Sequence, residues 1–200
     1  GNADPADYTV NLDQMLSQAV GGEVHVSKTL FDRHAITVGA EVRELLDNFY
    51  QNEDLEPAAT YTSVNSSDLT WGAFANAEVQ LYRTNLTLHA GVRYDGASDS
   101  DSAVNPRAAL IAHPWSPTTL KFIYGQAYRS PNEYEEIYNS LPGNGGGAMP
   151  TPETIRSFEL VWEQRIGKHF RTGVSAYLNQ IHDLIDNDLA QARLVNIGEV

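Results

Sequence analysis

The sequence has no cysteine in 200 residues, and it has little positive charge. Without cysteine there is no disulfide framework, no thiolate nucleophile and no zinc-thiolate site. The chain has 13 Lys and Arg against 26 Asp and Glu, which gives a formal net charge of −13. Because affinity for nucleic acid depends on clustered Lys and Arg that release counterions from phosphates, this balance excludes nucleic acid as a partner.

Long apolar runs are also missing. No window approaches the roughly 20 apolar residues of a membrane-spanning helix, which excludes helical membrane proteins and leaves membrane β-barrels open. The first residues contain neither a starting methionine nor a charged region followed by an apolar run. We therefore expect no signal peptide and interpret the chain as a processed or excised segment.

Motifs for catalysis or metal binding are scarce. The six histidines are scattered and form no HExxH pair, so we expect no metal site and no cofactor. There is no GxSxG elbow to support a catalytic serine. The sequence therefore predicts that the chain is not an enzyme.

What the sequence does contain is strict alternation of apolar and polar residues. Between residues 86 and 95 every second residue is apolar, and residues 36–43 and 157–166 repeat the pattern. Around residues 13–20 a short helix is an open alternative, and a partial strand is possible inside 7–17. The alternation predicts nine strands, at 21–30, 34–46, 69–82, 85–95, 104–113, 118–129, 154–166, 169–186 and 192–200.

The connections between these strands alternate in length. Those at 31–33, 82–84, 114–117 and 167–168 are tight, whereas those at 47–68, 96–103 and 130–153 are longer. Outer-membrane barrels place short turns at one rim and long loops at the other. This segregation favours a membrane barrel over a soluble sandwich.

The polar face of the predicted strands carries charges along its length, as expected for a wet lumen. The residues we assign to this lumen side are Glu41, Arg43, Glu78, Arg93, Arg107, Arg129, Glu159 and Glu163. A soluble one-sided sheet would alternate in the same way. The alternative is therefore a soluble all-β surface binding module, such as a carbohydrate-binding sandwich.

Several segments, in order, resemble the barrel of TonB-dependent outer-membrane receptors. The resemblance covers about residues 20–200 and is strongest between Gly91 and Ile185. The segments that carry it are Asn105-Pro106-Arg107-Ala108-Ala109-Leu110, Tyr124-Gly125-Gln126-Ala127-Tyr128-Arg129-Ser130-Pro131-Asn132, Ala90-Gly91-Val92-Arg93-Tyr94-Asp95 and Phe158-Glu159-Leu160.

The resemblance implies a bacterial outer-membrane barrel of 22 strands that is closed by an N-terminal plug. Such a receptor imports a scarce bulky solute, such as an iron chelate or cobalamin. The implied partners are outer-membrane lipid, the plug domain, the remaining barrel strands, the small-molecule solute and, through the plug, the TonB system.

The sequence departs from the family pattern because we find no plug segment and only nine strands. We therefore expect an all-β fold, an antiparallel up-and-down meander that forms part of a large transmembrane β-barrel wall. Residues 1–20 are predicted to be a partial strand or irregular lead-in, and residues 21–200 a partial barrel.

Two sets of side chains are candidates for function. On the lumen side, Arg93, Arg107 and Arg129 are expected to pair with Glu78, Glu159 and Glu163 in charge ladders that hold the strands in register, or to contact a plug. In the external loops, aromatic and acidic residues are candidates to contact the solute, although ordinary mobile loops have the same composition. These loop residues are Tyr50, Tyr61, Tyr134, Glu135 and Tyr138. A hydrolase barrel that uses a Ser or His at the lumen rim is a third alternative.

Overall fold

The protein, seen in a computed structural model, forms one sheet of nine antiparallel strands that follow one another in chain order. The structure describes residues 9–82, 85–98, 102–139, 148–190 and 193–199. The predicted all-β meander is confirmed. The strands are β1 (Val10–Leu30), β2 (His34–Glu56), β3 (Ala58–Tyr82), β4 (Leu86–Ala97), β5 (Ala103–Ala112), β6 (Thr118–Arg129), β7 (Glu153–Ile166), β8 (Phe170–Asp188) and β9 (Arg193–Glu199), with one helix, α1 (Glu133–Tyr138).

The alternation of the sequence divides the sheet into two faces. The inner face carries polar side chains and lines a cavity of about 480 Å³. Residues from β1, β3, β4, β5 and β6 all border this cavity, so the sheet curves around it. The outward face carries apolar and aromatic side chains, including the ring pairs Trp71–Tyr94 and Tyr124–Phe158, with centroids 5.3 and 5.1 Å apart.

No part of the described chain packs against the outward face of the sheet. Among the described residues no hydrophobic side chain is buried. Phe122, Leu160 and Leu178 are 51%, 56% and 59% exposed, respectively. A water-soluble sandwich needs a second sheet against such a face, and the described strands form one sheet only. The alternative of a soluble sandwich is therefore wrong, and the outward face suits hydrocarbon.

The tight turns lie together at one end of the sheet. Phe31 and Asp32 have φ values of 52° and 57°, as in the two-residue hairpin turns that match strand twist, and Arg33 N–H donates to Leu30 O at 3.3 Å. Gly167, with φ 62°, opens the β7–β8 turn, where glycine adopts this conformation without steric cost. These two turns and the one between β5 and β6 are as tight as predicted.

The other end of the sheet differs from the prediction. Residues 47–68 are not a loop, because β2 and β3 continue through them and only Pro57 separates the two strands. β1 pairs alongside, from Val10 opposite Glu56, so the helical interpretation of residues 13–20 is wrong. We call residues 10–20, 44–56 and 58–69 the outer extension.

The outer extension follows from strand length. β1, β2 and β3 contain 21, 23 and 25 residues. At roughly 3.3 Å per residue they measure about 70–80 Å, far more than an apolar band of about 25 Å requires. Beyond the band both faces of a strand are wet, so the sequence loses the apolar alternation that identifies strands, although the backbone pairing continues.

The described sheet has one helix in its longest connection and an open strand at each edge. α1 lies in the connection between β6 and β7, where the sequence predicted only a long loop. In the described part of the chain, β1 and β9 each pair on one side only, so the sheet is an open wall. All the longer connections that are described leave the wall at the end opposite the tight turns.

Candidate functional site

The inner face is organised around Arg93 on β4. Its Nη2 lies 3.0 Å from Glu41 Oε2, and its Nε lies 2.6 Å from Asp95 Oδ1. Asn105 Nδ2 donates to the other Asp95 oxygen at 3.1 Å. The guanidinium crosses β3 to reach Glu41 because Gly72 leaves room, since a Cβ there would stand 2.5 Å from Arg93 Nη2.

Arg107 on β5 is held differently. Its Nε and Nη2 donate to Asn76 Oδ1 at 3.2 and 2.7 Å, and no carboxylate of the described residues pairs with it. A Cβ added to Gly91 would collide with the same Asn76 oxygen. Arg107 and Arg93 both line the cavity of about 480 Å³ together with Glu23 and Asp95, so this cavity offers charged groups of both signs.

The other predicted inner-face carboxylates find near neighbours. Glu163 pairs with Lys121 at 2.7 Å, and Glu78 lies 3.9 Å from His89 Nδ1, an ion pair only when that histidine is protonated. Glu159 lies opposite Tyr177 in the β7–β8 register. Arg43 lies opposite Gly21 and, among the described residues, forms no ion pair.

The predicted pairing of Arg93, Arg107 and Arg129 with Glu78, Glu159 and Glu163 is wrong in its partners. Side chains on a sheet meet the groups that lie in or beside their own row, on the adjacent strand or, for a long arginine, on the strand after it. The register places Asn76 and Gly125 beside the Arg107 row, whereas Glu159 lies beside Ile123. The sequence gives the face of each residue, but the partner depends on the register.

Arg129 lies at the outer end of β6 and forms the densest cluster of contacts. Its Nη1 and Nη2 donate to the two Glu135 carboxylate oxygens at 2.7 and 3.1 Å, and its Nε donates to Glu153 Oε2 at 2.8 Å. The second Glu153 oxygen accepts the backbone N–H of Ile185 at 2.7 Å. Hydrogen bonds from Arg129 are the largest cause of the lowered pKa of Glu135 and of Glu153. The carboxylates in turn raise the pKa of Arg129, so all three groups stay charged.

Helix α1 is fixed at its start by a capping box. Asn132 Oδ1 accepts the backbone N–H of Glu135 at 2.9 Å, and Glu135 Oε2 accepts the N–H of Asn132 at 2.8 Å. The motif Asn132-Glu133-Tyr134-Glu135, with Asn at the N-cap and Glu three residues later, indicates the start of this helix, which was not among the predicted elements. Glu135 therefore serves both the cap and Arg129.

Two asparagines dock the end of α1 and the returning chain on the neighbouring strand. Asn139, only 4% exposed, donates from Nδ2 to Leu194 O and accepts the Leu194 N–H, both at 2.8 Å. Asn196 Oδ1 accepts the Thr151 N–H at 2.7 Å, and its Nδ2 donates to Thr151 O at 2.9 Å. Neither asparagine was predicted from the sequence, because side-chain amides that hydrogen-bond to the backbone of a distant segment leave no pattern in a single sequence.

The outer extension holds two of the predicted solute-contacting tyrosines. Tyr61 O–H donates to Asp54, which raises the pKa of Tyr61, and Asp54 Oδ1 also accepts from Asn11 Nδ2 at 2.9 Å. Burial is the largest cause of the raised pKa of Tyr50, followed by its hydrogen bond to Asp13. Tyr134 of α1 is the smallest of the causes that raise the pKa of Tyr50.

A second cavity, of about 280 Å³, lies between the outer extension and α1. Asn48 and Ser66 line it from the extension, and Ser130, Pro131 and Glu136 line it from the β6–α1 segment. We call this cavity, between the outer extension and the segment that leads into α1, the outer mouth. The side chain of Tyr134 is 48% exposed there, whereas that of Glu135 is only 15% exposed because Arg129 holds it.

The side chain of Tyr138 lies outside the described part of the structure. In the part that is described, no group of three or more His, Asp or Glu is placed to hold a metal ion. No helix described in the structure is long and apolar enough to cross a membrane. The roles predicted for the loop tyrosines and the inner-face charges stay predictions.

Comparison with known proteins agrees with the fold. The family model described as TonB dependent receptor-like, beta-barrel matches residues 2–200. No curated protein sequence matches the chain.

Several solved structures resemble the chain. The siderophore receptor PirA from Pseudomonas aeruginosa is 19% identical, with a TM-score of 0.72, over 94% of this chain and 35% of that one. The ferric enterobactin receptor PfeA from the same organism, in complex with enterobactin, is 20% identical with a TM-score of 0.71, over 94% and 32%. The FrpB iron transporter from Neisseria meningitidis is 18% identical with a TM-score of 0.64, over 90% and 31%. The chain thus spans about a third of the length of these structures, and at such identities the likeness shows the fold alone.

Proposed function

The chain belongs to the TonB-dependent receptor-like β-barrel family of the bacterial outer membrane, and from this premise we propose that it forms the wall and part of the outer mouth of a receptor that imports a scarce bulky solute. An iron chelate or cobalamin fits this class. The family is one of receptors and transporters, and we propose no catalytic step for these residues.

The observation that carries the proposal is the outer mouth itself, a cavity of about 280 Å³ between the outer extension, which carries Tyr50, and the segment that leads into α1, which carries Tyr134. Phenol rings offer a broad apolar surface and a hydroxyl that donates or accepts a hydrogen bond, which suits bulky chelates with aromatic or oxyanion groups. Tyr61 and Tyr138 are further candidates for the same contact. Glu135 is a weaker one, because Arg129 and the helix cap already occupy its oxygens.

The solute class draws support from the similar structures. Two are described as a siderophore receptor and a ferric enterobactin receptor, and a third as an iron transporter. Another, the copper transporter OprC, is 16% identical with a TM-score of 0.71 over 94% of this chain and 33% of that one. We therefore rank metal chelates above cobalamin.

The inner-face charges have a separate proposed role. Glu41, Glu78, Glu159, Glu163 and Arg93 hold neighbouring strands in register and face a plug. Among the described residues Arg43 and Arg107 form no ion pair, so we propose that they are available to a carboxylate of the plug or of a passing solute. We propose that plug movement driven by TonB then releases the solute inward.

A binding panel tests the proposed function. The probes are ferric enterobactin, cobalamin and copper(II), added to the receptor purified with its whole natural chain. We expect one probe to bind, and Tyr50→Ala and Tyr134→Ala each to weaken it about tenfold, a change of about 1.4 kcal/mol. The matched control is Tyr94→Ala, since Tyr94 packs on Trp71 at the outward face.

Two results would contradict the proposal. One is that no probe in the panel binds. The other is that Tyr94→Ala weakens binding as much as the two mouth variants do, because the effect would then come from the wall and not from the outer mouth.

A further inference from the structure

Arg129 joins three parts of the chain that are far apart in sequence. It reaches Glu135 on α1 with both terminal nitrogens and Glu153 at the start of β7 with Nε. Glu153 then accepts the Ile185 N–H of β8, beyond Asp183, whose φ of 56° marks an irregularity in that strand. One guanidinium thereby connects the helix and the returning chain directly, and β8 through Glu153.

Helix α1 depends on such contacts. It has six residues, and helices shorter than about 12–15 residues are marginal in water without tertiary support. Asn139 fixes the C-terminal end to β9 through two hydrogen bonds of 2.8 Å. At the N-terminal end, which carries Tyr134, Arg129 links Glu135 to the wall through two hydrogen bonds of 2.7 and 3.1 Å.

The geometry of the fork makes this link directional. A bidentate contact between a guanidinium and a carboxylate fixes the orientation of both planes, whereas a lysine ammonium is a point charge that allows rotation. Tyr134 and Glu135 belong to the same six-residue helix, so holding Glu135 limits the rotation of the whole helix, Tyr134 included. The cavity of about 280 Å³ shows that this part of α1 faces the outer extension.

We propose that Arg129 is the positioning residue of the outer mouth, and that by holding Glu135 it fixes α1 beside the outer extension, across the cavity of about 280 Å³. The inference rests on the proposed function only for the use of the mouth, and its geometry stands without a solute. Glu135 is then a structural residue and not the solute contact that its sequence suggested.

A distance measurement tests the positioning. Because the chain has no cysteine, spin labels attach only at cysteines placed at positions 50 and 134 in the whole receptor. These labels replace the two tyrosines, so any order that remains comes from the anchors of α1. We expect one narrow distance distribution, and we expect Arg129→Gln and Glu135→Gln each to broaden it at least about twofold, since each removes a charge-assisted fork.

The control is Lys121→Gln, which removes an ion pair of similar length from the inner face, where Lys121 lies 2.7 Å from Glu163. This variant is expected to leave the distribution unchanged. Arg129→Lys is expected to give an intermediate width, because the charge stays and the fork is lost. A role limited to general wall stability would instead make Lys121→Gln and Arg129→Gln equivalent.

Two outcomes would overturn the inference. The first is an unchanged distribution in both Arg129→Gln and Glu135→Gln, and either variant suffices as the test if the other fails to insert. The second is equal broadening by Lys121→Gln.

A solute readout separates this inference from the proposed function. With both tyrosines present, Arg129→Gln is expected to weaken the bound probe about tenfold, and Arg129→Lys less. A narrow distance with no probe bound contradicts the proposed function and leaves the positioning intact. A bound probe with a distance that Arg129→Gln leaves unchanged contradicts the positioning alone.

Discussion

Arg93 in the middle of the wall and Arg129 at its outer rim each hold two carboxylates, but the partners come from different sources. The partners of Arg93 lie on its own strand and on β2, two strands away, at positions that the register fixes. Those of Arg129 come from helix α1 and from the chain where it returns into β7. In the wall the pairing register of the strands determines which side chains meet. At the rim it is determined by the path of the connection between β6 and β7.

This difference separates the mechanical roles of the two regions. A wall contact can be lost only by disturbing neighbouring strands, because every residue on the inner face shares its row with two others. The rim contact ties a short helix to the wall, so its loss leaves the strands paired. We therefore expect substitutions in the wall to change stability, and substitutions at the rim to change the outer mouth.

The largest expected effect compares an apolar residue of the wall with one of the outer extension. Leu160 lies on the outward face near the middle of β7, and Leu55 lies near the tip of β2; they are 56% and 46% exposed. Leu160→Arg places a charge in hydrocarbon and is expected to cost about 2–4 kcal/mol. Leu55→Arg stays in water and is expected to cost less than about 0.5 kcal/mol.

The measurement is the free energy of unfolding of each variant in lipid vesicles, taken from urea titrations of the whole receptor. Equal costs at the two leucines would remove the boundary that we draw between the wall and the outer extension.

A smaller effect is expected at two glycines of the inner wall. A Cβ at Gly91 collides with Asn76 Oδ1, the acceptor for Arg107, whereas a Cβ at Gly125 meets nothing within 4 Å. Gly91→Ala is therefore expected to destabilise the wall by about 1–2 kcal/mol, since it displaces a packed hydrogen-bonded pair. Gly125→Ala is expected to change the free energy of unfolding little, and the same urea titration compares the two. A cost at Gly125 as large as at Gly91 would mean that the Arg107–Asn76 contact is not the cause.

The smallest effect on stability is expected from pH at the rim. The pKa values of Glu135 and Glu153 are lowered from 4.5 in the folded state, so their contacts with Arg129 stabilise the docked helix above that pH. The contribution declines as the pH falls below 4.5 and is lost as the pH passes through the lowered pKa values of the two carboxylates. The distance distribution between labels at positions 50 and 134 is therefore expected to stay narrow at pH 4.5 and to broaden at lower pH, while the strands stay paired.

Glu135→Gln is the control for the pH effect, because its distribution should be broad at every pH. A narrow distribution that persists in the acid range would show that the docked helix does not depend on these two carboxylates.

The sequence predicted the wall better than the rim, for a physical reason. Alternation at residues 86–95 and 157–166 reflects a strand with one face in hydrocarbon and one in water, so both the strands and their faces could be read. In the outer extension both faces are wet, and polar residues such as Asn11, Asn52 and Asp54 give no period although they pair across strands.

The candidate site follows the same division. The face of Glu41, Arg93 and Arg107 was readable from the alternation, but their partners depend on the register, which a single sequence does not contain. The outer mouth joins the outer extension to the segment that leads into α1, parts of the chain that are far apart in sequence. It depends on the docking of α1 through Arg129 and Asn139, contacts that carry no local pattern.

The most direct test of the membrane wall uses the absence of cysteine. Single spin labels at positions 158–163 of β7, in the whole receptor in lipid, are examined by collision with oxygen, which concentrates in lipid, and with a water-soluble nickel chelate. We expect a high ratio of oxygen collisions to nickel collisions at positions 158, 160 and 162, on the outward face. We expect a low ratio at positions 159, 161 and 163, on the inner face. Equal ratios along the strand would contradict a wall with one face in hydrocarbon and the other in the lumen.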